Sequence, residues 1–157
     1  MFSNVIHGCF SSISSSIFEE IETTDLLICE VRPYLSSLKG MGLKDNLLYV
    51  TDIDRIHVID NNKDQIIKTH DVSGEKNDIE IDSKGNVYLT DMFTKKVLIL
   101  NNNKVDTWID LNEYSKPNGL FMEEPDLLVG TADGLLRINL NKKDIKMEIP
   151  NKGGIDG

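Results

Sequence analysis

The sequence predicts an all-β fold, a β-propeller fragment of about three four-stranded blades, and three observations carry that reading. From Lys39 onward, short β-type runs are punctuated by Asn, Asp, Gly and Lys. The runs recur: Asn46-Leu47-Leu48-Tyr49-Val50-Thr51-Asp52 is echoed by Gly85-Asn86-Val87-Tyr88-Leu89-Thr90-Asp91 and by Pro125-Asp126-Leu127-Leu128-Val129-Gly130-Thr131. With Thr51, Thr90 and Thr131 taken as equivalent, the spacings are 39 and 41 residues, the size of one propeller blade. Third, Ile79-Glu80-Ile81-Asp82 and residues 104–109 alternate nearer to period two than to 3.6, against a helical repeat. An immunoglobulin-like sandwich carries no such internal echo.

The elements follow in order. Residues 1–38 form an atypical segment, with serines crowded between Ser3 and Ser16 and no Lys before Lys39. Ser16-Ile17-Phe18-Glu19 has capping-box spacing, and Ile13, Ile17 and Ile21 recur every fourth residue, so a short amphipathic helix is expected there. Residues 26–31 read as a strand closed by Pro33. Residues 39–157 read as the partial propeller. Within each repeat a second strand is expected at Arg55 to Asp60, Lys96 to Leu100 and Leu135 to Leu140, and a third at Gln65 to Val72, Val105 to Ile109 and Ile145 to Ile149. Polar turns at 61–64, 101–104 and 141–144 separate them. Inner strands are expected at about 41–44, 78–82 and 119–122.

Closed propellers use about four to eight blades, and this chain stops just after a fourth repeat start, so it reads as a piece of a larger propeller. Three blades leave two apolar faces, which implies self-association with another copy or cover from residues 1–38. Composition narrows the partners. Seventeen Lys+Arg against 26 Asp+Glu give a net charge of −9, a surface that repels nucleic acid and anionic lipid. No apolar run approaches the roughly 18–20 residues of a membrane span. Cys9 and Cys29 make neither a disulfide framework nor a zinc site. No Lys or Arg precedes the apolar residues of Met1 to Cys9, so a secretory signal is not expected and the compartment stays open.

The chemistry is expected where each repeat's inner strand begins. Gly40, Asn77, Asn118 and Asp156 read in register, 37, 41 and 38 residues apart. Inner strands line the axis of a propeller, so three oxygen-bearing side chains would meet there. Asn carbonyls and an Asp carboxylate suit hard cations. The alternative is that these are turn residues tolerant of positive φ.

Asn77-Asp78, Pro117-Asn118-Gly119-Leu120 and Ile155-Asp156-Gly157, on this repeat, resemble the SMP-30/gluconolactonase/LRE-like six-bladed propellers over residues 39–157. The resemblance implies a divalent cation (Ca, Mg, Mn or Zn) on the axis and hydrolysis of a small lactone or sugar-like ligand. It implies Asn118, Asp156 and Asn77 as metal ligands, Asn77 and Asp78 on the substrate side, and Asp156 as catalytic base. The family's metal-binding Glu has no counterpart, because Glu19, Glu20, Glu22 and Glu30 stand in no matching motif. His57 is expected as an exposed strand residue, and Tyr88 and Trp108 as blade packing. Asp52-Ile53-Asp54 and Asp60 to Asp64 lack the Gly and Glu of an EF-hand and read as turns. Three functions follow: a metal-dependent lactone hydrolase, a non-catalytic NHL-like propeller binding a small ligand or protein, or an incomplete gene product without its own activity.

Overall fold

The computed structural model describes residues 37–150. They form twelve strands in three four-stranded antiparallel sheets. The first holds β1 (Leu38–Lys44), β2 (Leu47–Asp52), β3 (Arg55–Asp60) and β4 (Gln65–Asp71); the second holds β5 (Lys76–Ile81), β6 (Val87–Asp91), β7 (Lys96–Asn101) and β8 (Lys104–Asp110). The third holds β9 (Leu120–Glu123), β10 (Asp126–Thr131), β11 (Gly134–Asn139) and β12 (Ile145–Pro150). Each sheet is a simple meander, and the sheets meet through their first strands, β1 against β5 and β5 against β9. That is the radial arrangement of propeller blades, with β1, β5 and β9 innermost. The expected helix in residues 13–21 and the strand at 26–31 lie outside the described residues.

Local chemistry explains the hairpins. Asn102 and Asn103 both adopt positive φ, 47° and 64°, in the two-residue turn between β7 and β8, a conformation that Asn tolerates and that matches strand twist. Asp45 and Asp64 take the same region at the β1–β2 and β3–β4 turns. At the β5–β6 turn, Asp82 Oδ1 accepts the amides of Lys84 and Asn86, while Oδ2 accepts Asn86 Nδ2 and the Tyr88 hydroxyl.

Each sheet has a front face, turned to the preceding sheet, and a rear face, turned to the following one. The rear face of the first sheet sets Tyr49 and Ile56 against Val87, Leu89, Leu98 and Leu100 on the front of the second. The rear of the second sets Tyr88, Val97 and Trp108 against Leu127, Val129, Leu136 and Ile138 of the third. Tyr88 and Trp108 meet edge-on, with centroids 5.0 Å apart, as blade-packing residues. A third cluster, Leu48, Val50 and Ile59, lies on the front of the first sheet.

Two features of the sequence register need correction. Cross-strand pairing sets Val50 opposite Met41, Leu89 opposite Ile79 and Val129 opposite Leu120. Gly130, not Thr131, therefore occupies the place of Thr51 and Thr90. Thr131 stands where Asp52 and Asp91 stand: its hydroxyl accepts the amides of Asp133 and Gly134, as Asp91 Oδ1 accepts those of Phe93 and Thr94. By the same pairing Gly40 is the equivalent of Asp78, and Lys39 that of Asn77. The third blade carries Gly where the first two carry Thr, and its own Thr stands one place further along β10, so counting by Thr slips by one residue. His57 is also corrected: it is 4% exposed, on the front face of β3 beside Ile59.

Candidate functional site at the inner-strand starts

The buried threonines organise the ends of the inner strands. Thr51 Oγ1 accepts the amide of Gly40 within its own sheet, and its proton faces the Gly40 carbonyl at 3.2 Å and the Asn77 carbonyl of the next sheet at 3.4 Å. Thr90 repeats the device, accepting the Asp78 amide at 3.0 Å and donating to the Asn118 carbonyl at 2.6 Å. A hydroxyl on the second strand of one sheet therefore fixes the backbone that carries the Asn of the next. Asn77, on β5, and Asn118, just before β9, hold equivalent places on neighbouring inner strands, and both are half-buried.

Backbone approach is closest between β1 and β5. A Cβ on Gly40 would lie 2.8 Å from Asp78 Cα and 2.9 Å from both the Asn77 carbonyl oxygen and the Ile79 nitrogen. Only glycine fits there. Asp78 is equally committed: Oδ1 accepts the Ile79 amide at 2.9 Å, and Oδ2 accepts the Leu120 amide of the third sheet at 2.7 Å. Its carboxylate fastens β5 to β9.

Behind this layer lies an ion pair. Lys76 is fully buried, and its ammonium donates to Asp91 Oδ2 at 2.9 Å and to the Ser73 carbonyl. Burial opposes the charge on Asp91, but the Thr94 amide and the Lys76 ammonium outweigh it and hold its pKa below the usual carboxylate value. The pair closes the end of the second sheet. No motif in the sequence marks it, because its partners are 15 residues apart on strands that pair only in the fold.

Asp156 lies outside the described residues, so the described part of the expected set is Asn77, Asp78 and Asn118. Among the described residues no group of three His, Cys, Asp or Glu side chains could hold a metal ion. Two grooves, of about 240 and 260 Å³, open between the sheets, and Asn77, Asp78 and Asn118 line neither of them. No helix among the described residues is long and apolar enough to cross a membrane.

No family model matches the chain, and no curated protein matches it. Solved structures do. A streptogramin B lyase superposes with a TM-score of 0.64 at 18% identity, over 74% of this chain and 42% of that one. Virginiamycin B lyase from Staphylococcus aureus gives 0.61 at 19% identity over the same shares. The computationally designed Ika4 protein gives 0.64 at 14% identity, over 77% of this chain and 78% of its own. The chain thus spans about two fifths of the lyases' length. These are propeller proteins, and at such identities the likeness shows the fold alone: the described residues are three blades of a β-propeller.

Proposed function

We propose that the chain belongs to a divalent-cation-dependent hydrolase of sugar lactones or related esters, gluconolactonase-like, with its site where the inner strands begin. The observation that carries this reading is the equivalence of Asn77 and Asn118, each held by the threonine hydroxyl of the preceding sheet. Amide oxygens suit a hard cation, and Asp156, by its sequence register, would add the charge that two neutral ligands lack. Asn77, Asn118 and Asp156 would hold the cation, which when bound supplies polarisation of a lactone carbonyl. Asp156 would accept a proton from the attacking water, and Asn77 would orient the ligand.

The commitment of Asp78 to two backbone amides favours a second reading, a non-catalytic propeller that binds a small ligand or a protein on the same face. In that case Asp78 is a strut rather than a substrate contact. Calorimetric titration of the full chain with Ca²⁺ and Mn²⁺ separates the readings. The first expects binding that Asp156→Ala weakens more than Asn77→Ala, because it removes a formal charge, and lactone hydrolysis abolished by chelation. Absent cation binding, or equal effects of the two substitutions, would remove the shared site. Self-association is proposed for the open rear face of the third sheet. Light scattering against concentration tests it, with Phe121→Asp expected to keep the chain monomeric.

A further inference from the structure

Within the stack each front face is buried by the rear face of the sheet before it. The first sheet has no described sheet before it, yet its front face is closed. Leu48, Val50 and Ile59 are 2%, 0% and 0% exposed. Their counterparts Val87, Leu89 and Leu100, which lie under the first sheet, are 1%, 0% and 5% exposed. The rear face of the third sheet, also without a described neighbour, is more open: on its second and third strands Leu128 and Leu135 are partly exposed, and on its first and last strands Phe121 is 59% and Ile149 56% exposed. A sheet does not bury its own face, so something covers the first. The described strands that pack on the first sheet from outside it, β5, β6 and β7, lie at its inner edge and on its rear face.

We propose that residues 1–36 of this chain cover the front face of the first sheet in the place of a preceding blade. Three observations identify the occupant. The chain enters β1 from this side, since the amide of Ser37 donates to Asp52 Oδ1 at 2.6 Å and Asp52 shares the front face with Leu48 and Val50. The preceding segment of 36 residues is close to the 38–41 that separate equivalent positions of successive blades. It also carries apolar residues to match, Ile13, Ile17, Ile21 and the run Leu26-Leu27-Ile28. The cover is not a full blade. Met41 and Leu43, on the same face of the innermost strand, are about half exposed, so it screens β2 and β3 and stops short of the axis. A consequence is that a head-to-tail ring of two copies is blocked at this end, and the rear of the third sheet is the described face left for assembly.

Hydroxyl-radical footprinting of the full chain tests the assignment without disturbing it. With each rate taken relative to that of the same residue type in the unfolded chain, Leu48, Val50 and Ile59 should oxidise about ten-fold more slowly than Phe121, at every protein concentration. In the full chain carrying Ile17→Asp and Ile28→Asp, oxidation of Leu48 and Ile59 should rise toward that of Phe121, while Val97 and Leu136, between sheets, stay protected. Rapid oxidation of Leu48 in the unaltered chain overturns the proposal. So does protection lost on dilution, which would make a second copy the cover, and so does protection indifferent to the two charges. A rise at Val97 and Leu136 in step with Leu48 would show a segment needed for the whole fold rather than a local cover, and overturns it too. If the double variant does not accumulate, a spin label on Cys29 in a Cys9→Ser chain should broaden the methyl signals of Leu48 and Ile59 and spare Leu128; the reverse pattern, or none, is fatal.

Discussion

The two ends of the three-sheet stack carry the same architecture and opposite surfaces. On the front of the first sheet, position by position, Leu48, Val50 and Ile59 match residues that are buried between sheets elsewhere. On the rear of the third, the corresponding series changes character. Tyr49 and Tyr88 give way to Leu128, Ile56 and Val97 to Leu135, and Val58 and Ile99 to Arg137. Arg137 pairs with Glu123, Asp126 and Glu148, a charged cluster at a place that is apolar in the two preceding sheets. The sequence thus marks one end as an interface and the other as partly solvent-facing. Blade position, not the β-meander itself, decides which face must be apolar.

The strongest way to break that comparison is to truncate one residue on each end face. Ile59→Ala should cost about 2–5 kcal/mol, because a fully buried side chain leaves a cavity under its cover. Phe121→Ala, mostly exposed, should cost less than about 1 kcal/mol. Urea unfolding of the full chain reads both, and equal losses would show that the two ends do not differ. Next in size is Gly40→Ala, whose added methyl meets the β5 backbone rather than a movable side chain. Overpacking of that kind costs about 1–3 kcal/mol. Gly85→Ala is the control: it has open space around it, so its cost is the strain of a φ of +84° alone. Thr90→Val keeps the volume and removes the hydroxyl that joins the Asp78 amide to the Asn118 carbonyl. Two part-buried backbone groups lose a partner, so about 1 kcal/mol should go, whereas the third sheet has Gly130 at this place and no such hydroxyl to lose.

The sequence made the strands legible because each blade repeats period-two alternation between polar turns. The expected span of β3, Arg55 to Asp60, is the observed one, and β7 and β12 differ by a single terminal residue. Register was legible where the residue types recur in place, and it slipped where Gly130 replaces the threonine of the first two blades and Thr131 follows it. At the inner-strand starts, Asn77 and Asn118 stood out by spacing. The roles of Asp78 and Lys76 did not, since their partners Leu120 and Asp91 are 42 and 15 residues away. His57 was misjudged for a related reason: alternation tells which residues share a face, not which face is covered.

The smallest effect, and the sharpest probe of the covered end, comes from His57 itself. Its counterparts on the second and third sheets are Leu98 and Leu136, both buried between sheets. Its Nδ1 lies 3.0 Å from Thr69 Oγ1, while Nε2 has no hydrogen-bond partner among the described residues and sits 3.7 Å from Asp52 Oδ2. Burial pushes its pKa below the ordinary histidine value, Arg55 adds to that, and Asp52 with Asp54 opposes it. The folded protein therefore holds His57 neutral where the unfolded chain binds a proton, and stability must fall as pH drops below about 6.5 toward the lowered value. His70, also lowered, by burial and by Lys68, contributes with the same sign. Denaturation midpoints between about pH 5 and 7.5 avoid most carboxylate titration. Over that range His57→Leu should flatten the pH dependence without removing the share that belongs to His70. If the slope is unchanged, His57 is as solvated in solution as the residues of the open end, and the cover over the first sheet is not there.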